Sequence, residues 1–266
     1  MPDDDRISVL RIESGAGPAR SRQAGIDSAQ GSVIAILDDD DEWYPDKIEQ
    51  QLVAAQAVAG QAVAGQAVAA DQWIISSRLE VRGPGTTRRI WPRKLISPGE
   101  SVADYLFRFS GFRSGAAVIQ TSTLCFPTTL ARNVRWDAHE GAIHDEPSWL
   151  IDVQQAFPDV RLIQLPEVLG VYNVHSASVS RQKQDRSDAY IAWGREYLAS
   201  ASPRIRGDYF CTSPVSAAVS ARSLRGVRRA VGTAVREGRP GPAALNYALL
   251  NACRIVLLRT RARLRP

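Results

Sequence analysis

Five consecutive carboxylates, Asp38-Asp39-Asp40-Asp41-Glu42, directly follow the small and apolar run Ser32-Val33-Ile34-Ala35-Ile36-Leu37. Like charges this close repel, more strongly as water is withdrawn. A divalent cation relieves that repulsion, and oxygen-rich carboxylate sites suit Mg²⁺ or Mn²⁺. In an extended segment Asp38 and Asp40 point to the same side and can share one ion or its phosphate ligands. The alternative is a solvated acidic loop in which Asp41 or a neighbour caps the next helix. A second acidic group, Asp145-Glu146, opens an apolar helical stretch. Its acids either serve a helix N-terminus or include a general base whose pKa is adjusted by burial. Arg22, near the start of an earlier helical stretch, is placed to meet an anion. His175 leaves a strand beside a Ser-rich loop. Gln120 and Thr121 stand near the end of an apolar run, where polar groups either satisfy a turn or line a pocket.

The elements that must position these groups read as an α/β pattern. Ile7–Ile12 looks like a short strand, Ala19–Gln30 a helix stopped by Gly31, and Ser32–Leu37 a buried strand, which together form a βαβ unit. Ligands of such sheets bind at the carboxyl ends of strands, where the acid run lies. Pro45 starts the next helix. Three near-identical five-residue units in 56–70 extend that helix or its loop and match no solenoid period. Strands are expected at 73–77, 79–81, 116–124, 161–165 and 168–172, and a short helix at 101–107 with Ser101 near its cap. Helices are expected at 190–201, 215–236 and 243–264.

The chain has 266 residues, a formal charge of +5, 44% hydrophobic and 23% charged residues, enough for one substantial core and ordinary for a globular protein. Three cysteines without short-range pairing argue against a disulfide framework and a zinc site. The acidic start is no signal peptide, and no apolar run is long enough to span a bilayer, so a soluble, cytoplasmic protein is expected. The arginine excess lies beyond Arg195. Leu245, Leu249, Ala252, Val256 and Leu257 form a stripe in the last helix that either packs on the parent domain or contacts an anionic membrane surface. Nucleic acid is not an expected partner, because no recognition motif accompanies the arginines.

Several of these segments together resemble the family 2 glycosyltransferases. They are Gly17-Pro18-Ala19-Arg20-Ser21-Arg22-Gln23-Ala24-Gly25-Ile26, the acid run with Trp43, Pro45 and Lys47, and His144-Asp145-Glu146 with Trp149. The resemblance covers roughly residues 7–181. It implies a GT-A-like (Rossmann-like) mixed sheet flanked by helices, with residues 1–185 as the transferase domain and 186–266 as a basic helical C-terminal extension. The match begins after the strand, loop, helix and strand with which the family usually starts, so the chain reads as N-terminally truncated. The implied activity is metal-dependent inverting transfer of a sugar from a nucleotide-sugar donor (UDP-, dTDP- or GDP-linked) to a hydroxyl of a sugar or lipid-linked acceptor, in cell-surface glycan or glycolipid synthesis. The alternative is an inactive truncated transferase that binds or scaffolds. Implied roles are Arg22, Gln23, Asp38, Asp39 and Asp40 for the donor, and Asp40, Asp38 and His175 for Mn²⁺ or Mg²⁺. Glu146, which takes the base position, and Asp145 carry catalysis. Gln120, Thr121 and Trp149 line the acceptor or sugar pocket. The expected place is the cytoplasm, with peripheral contact at the inner face of the membrane through the basic C-terminal helices as the alternative.

Overall fold

The computed structural model describes residues 4–59, 62–63, 66–67, 71–83, 88–112, 115–137, 143–174 and 184–263. Helix α1 (Gly17–Ser28) begins with Pro18 in its first turn, where the missing N–H costs nothing. It leads to β1 (Val33–Ala35), then β2 (Glu42–Trp43) and α2 (Lys47–Ala59). Ala62–Val63 (β3) and Gln66–Ala67 (β4) pair antiparallel within the five-residue repeats. The remaining strands are β5 (Trp73–Arg82), β6 (Arg89–Trp91), β7 (Cys125–Pro127) and β8 (Arg161–Asn173). Helices α3 (Val102–Phe107), α4 (Thr128–Asn133) and α5 (Asp145–Ala156) lie between them, and α6 (Ser187–Tyr197), α7 (Pro203–Ser220), α8 (Leu224–Glu237) and α9 (Pro242–Arg263) follow.

One six-stranded mixed sheet runs β1-β7-β5-β8-β2, with β6 also on β5. Its centre is the parallel pair β5 and β8, and its other pairings are antiparallel. The two strands expected at 161–165 and 168–172 are one. The ladder with β5 skips Pro166 and Glu167, a local irregularity at a residue that cannot donate to the ladder. Gly170 faces Trp43 across the β2–β8 ladder, and a Cβ there would meet the Glu42 carbonyl oxygen at 2.8 Å. The absent side chain lets the acid run lie against the sheet.

Several expectations are corrected. Residues 8–13 form no strand, and Ile7, Val9, Leu10 and Ile12 are exposed. Strand β1 instead pairs antiparallel with β7, so the βαβ unit expected over residues 7–37 does not form. The run 116–124 holds only the 3-10 turn Thr121–Thr123, because Gln120 accepts from the Ser122 N–H and closes a turn in place of a ladder. The helix expected at 215–236 is two helices. Pro214 lies within α7, and the break comes at Arg222, which has a φ of 52°, followed by Ser223 capping α8 through the Gly226 N–H. Ser101 caps α3 as expected, accepting from the Asp104 N–H at 3.0 Å.

The main core runs without interruption from Ile26 in α1 through Trp149 and Leu150 in α5 to Ile255 in α9. Helices α6 and α7 therefore share packing with the sheet. At their junction His144 is enclosed edge-on by Phe107, Tyr190, Trp193 and Tyr209. Cys125 and Cys211 are buried free thiols, and Cys253 is an exposed one. Among the described residues no helix is long and apolar enough to cross a membrane.

Candidate functional site

Three separate segments meet at Arg22. Its Nη2 donates to Asp38 Oδ1 at 2.9 Å, and its Nη1 pairs with Asp145 Oδ2. The guanidinium is 13% exposed and lies over the Trp136 ring, 5.6 Å from its centroid, where a delocalised cation is stabilised by the ring face. One arginine thus ties α1 to the loop after β1 and to the first turn of α5. A fork of donors is suited to holding two carboxylates at once.

The acid run does not act as a unit. Asp41 is buried. Its Oδ2 accepts from Ser122 Oγ and from Gln120 Nε2, both at 2.7 Å, and its Oδ1 accepts from the Asn173 N–H at 3.1 Å. Burial raises its pKa despite these donors. Asn173 Nδ2 also donates to the Asp40 carbonyl at 2.8 Å and to Glu42 Oε1 at 3.3 Å. Asp38 is half-buried, its backbone N–H donating to Ser122 Oγ at 3.0 Å, while Asp39 and Asp40 are exposed. Ser122 therefore fastens the run at two points and Asn173 at three. Sequence reasoning missed both residues, which lie far along the chain from the run and carry no local motif.

At the head of α5, His144 has a left-handed φ of 58°, and Asp145 and Glu146 occupy the first turn. Glu146 accepts from the Thr121 hydroxyl. Burial pushes Asp145 up to about 6, against the opposing pull of Arg22, while the neighbouring Glu146 and Asp38 charges raise it further. The same residues complement the helix dipole, so their placement serves both the cap and the site. Burial lowers His144 to about 4, which leaves the ring neutral near pH 7.

A cleft of about 720 Å³ opens between α1 and the stretch 33–39, lined by Ser21, Arg22, Gly25 and Ile26 on one side and by Ile34, Leu37, Asp38 and Asp39 on the other. This is the size of a small-ligand site. Arg22, Asp38 and Asp39, expected at the donor, are among the residues that line it, and Asp40, expected with them, is not. Neither is Gln23: it is buried, its Nε2 donating to Asp27 at 2.8 Å and its Oε1 accepting from the Trp136 N–H at 2.7 Å. The helical period turns Gln23 to the core one position after Arg22 faces the cleft. Trp149 is likewise no pocket wall. It is fully buried, stacked on Trp136 at 4.4 Å, with its indole N–H donating to the Val134 carbonyl. Thr121 is fully buried and reaches the site only through Glu146, and Gln120 is committed to Asp41 and its turn. Among the described residues no three His, Cys, Asp or Glu side chains form a group that could hold a metal ion. His175, expected as a further ligand, lies outside the described residues.

Residues 1–117 match the family model described as glycosyl transferase family 2. The chain is 33% identical over 132 residues to the amylovoran biosynthesis glycosyltransferase AmsB of Erwinia amylovora, covering 50% of this chain and 40% of that protein. It is 45% identical over 49 residues to the putative teichuronic acid biosynthesis glycosyltransferase TuaG of Bacillus subtilis, covering 18% of this chain and 19% of that one. The matches thus span less than half the length of either relative. The crystal structure of S. aureus TarS residues 1–349 in complex with UDP-GlcNAc superimposes with a TM-score of 0.51 at 11% identity, covering 90% of this chain and 70% of that one. That likeness concerns the fold and agrees with the α/β, GT-A-like class expected from the sequence. The match over residues 1–117 and the relatives above make this part of the chain similar to glycosyl transferase family 2.

Proposed function

We propose that this chain transfers a sugar from a nucleotide-sugar donor to a hydroxyl acceptor, with inversion at the anomeric carbon, in the synthesis of a cell-surface polysaccharide. The observation that carries the proposal is the Arg22 bridge, which holds Asp38 at the cleft and Asp145 at the head of α5 in one cluster. Support for a nucleotide-sugar donor comes from the UDP-GlcNAc bound to TarS, and support for the polysaccharide from the named roles of AmsB and TuaG.

Asp145 is the group best suited to act as base. A carboxylate held near 6 is ionised at neutral pH yet basic enough to share a proton in a transition state. It takes the acceptor hydroxyl proton as that oxygen bonds to the anomeric carbon. The bond from that carbon to the diphosphate oxygen breaks, and its electron pair leaves with the nucleoside diphosphate. Glu146, held by Thr121, orients the first turn beside it.

The carboxylates present fit Mn²⁺ or Mg²⁺ bound in the way such ions favour, by one or two side chains plus substrate phosphates and water. Asp38 and Asp40 would hold it, with the exposed Asp39 beside them. When bound, the ion would neutralise charge on the departing diphosphate.

The test is donor consumption and transfer by the full chain with Mn²⁺ across UDP-, dTDP- and GDP-sugars, repeated with Asp145→Asn. Turnover that falls about a hundredfold or more in the variant supports the proposal, in line with the usual contribution of a general base. No turnover with any donor, alongside a nucleotide-induced rise in melting temperature, would replace it with a binding role.

A further inference from the structure

The last helix presents apolar surface on two sides. Ala244, Ala248 and Ile255 of α9 are buried against α7 and α8. Leu249, Leu250 and Leu257 are 62%, 59% and 63% exposed, and Leu245, Val256 and the free Cys253 are exposed with them. At about 100° per residue these six positions fall within an arc of about 140°, shared with Pro242, Asn246 and Thr260 among the described side chains and turned away from the buried face. The expected stripe therefore divides. Ala252 packs inward, while Leu245, Leu249, Val256 and Leu257 face outward. Three leucines more than half exposed on one helix form an apolar surface that single scattered residues do not.

Charge identifies what fits it. The sequence of α9 contains Arg254, Arg259, Arg261 and Arg263 and no Asp or Glu. A second copy of this helix, laid on the face in either direction, would bring no carboxylate to those arginines. A bilayer rich in anionic lipid supplies both an apolar layer for the leucines and negative headgroups for the cations. We propose that the outer face of α9 seats this protein on an anionic membrane surface, with Leu245, Leu249, Leu250, Val256 and Leu257 entering the headgroup boundary and Arg254 at headgroup level. The seat lies on a different element from the Arg22 site and does not depend on the proposed transfer.

The experiment is co-sedimentation of the full chain with vesicles of phosphatidylcholine alone or with 30% phosphatidylglycerol. A variant carrying Leu249→Gln, Leu250→Gln and Leu257→Gln is run alongside, with circular-dichroism melting as the folding control. The expected result is at least tenfold stronger binding to the anionic vesicles, weakened by 0.5 M NaCl and reduced at least tenfold in the triple variant at unchanged melting temperature. Arg254→Glu gives a second reading with all the leucines in place, and is expected to lower anionic binding several-fold. Equal binding to both vesicles, or undiminished binding by the triple variant, overturns the proposal. So does a concentration-dependent dimer in sedimentation equilibrium that the triple variant abolishes while no vesicles bind, which would assign the face to a second copy.

Discussion

The acid run at 38–42 and the acid pair at 145–146 look alike as sequence, yet the fold treats them in opposite ways. Along the run the side chains part company. Asp41 is absorbed by Ser122, Gln120 and the Asn173 N–H, Asp38 is drawn to Arg22, and Asp39 and Asp40 stay in solvent. At 145–146 Asp145 pairs with Arg22 and Glu146 accepts from the Thr121 hydroxyl, partners from elsewhere in the chain. Residues 38–41 form a tight turn, the Asp41 N–H donating to the Asp38 carbonyl at 3.1 Å, so the acids fan apart instead of alternating as in an extended segment. Asp145 and Glu146 share one helical turn from which both charges reach Arg22. Asp41, the most buried member of the run, is taken up by hydrogen bonds that fasten the run to the fold.

The sharpest break of this contrast is Asp145→Asn. Turnover should fall by about a thousandfold, within the range for loss of a general base, and the acid limb of the pH–rate profile near pH 6 should vanish with it. Next is Arg22→Met, which leaves Asp38 and Asp145 without their shared cation. It should lower turnover about a hundredfold and stability by about 2 kcal/mol, short of the figure for a fully buried pair because both carboxylates keep some solvent. Because Arg22 holds the Asp145 pKa down, the midpoint of the acid limb should move above 6 in this variant, which a pH–rate series reads directly. Asp41→Ala should act on stability, lowering it by about 2 kcal/mol in urea titration, since it strands the Ser122 and Gln120 donors. The smallest effect is expected from Asp40→Asn. An exposed substitution should change stability by less than about 0.5 kcal/mol while raising the Mn²⁺ concentration needed for half-maximal turnover about tenfold. If Asp40→Asn unfolds the chain as readily as Asp41→Ala, the division within the run is wrong.

What could be read from the chain beforehand follows the range of the forces involved. The Ser101 cap, the placing of Pro45 just before α2 and the acids in the first turn of α5 are local, and they stand where the sequence puts them. Strand pairing is not local. Ile7–Ile12 has the composition of a strand but meets no ladder among the described residues, and 116–124 gives its backbone to a turn that Gln120 closes. Arg22 could be named from its position on α1, but its bond to Asp145 joins residues 123 apart. The family resemblance implies site roles for Gln23 and Trp149, but helical geometry turns both into the core. Ser122 and Asn173 gave no signal, because a hydroxyl or amide gains its role only when the fold delivers a carboxylate to it.

The ring of His144 among Phe107, Tyr190, Trp193 and Tyr209 has a consequence for how the molecule responds to acid. Its folded pKa of about 4 lies below the unfolded value of 6.5, so its contribution to stability is complete above 6.5 and is lost as pH falls toward 4. Asp145, next along the chain, has a folded value near 6 above an unfolded 3.8, so its contribution is complete below 3.8 and fades as pH climbs toward 6. Across nearly the same interval two adjacent side chains tilt the folding equilibrium in opposite senses. Over that interval the two terms offset one another, so Asp145 can change its protonation with little net effect of this pair on the folding equilibrium.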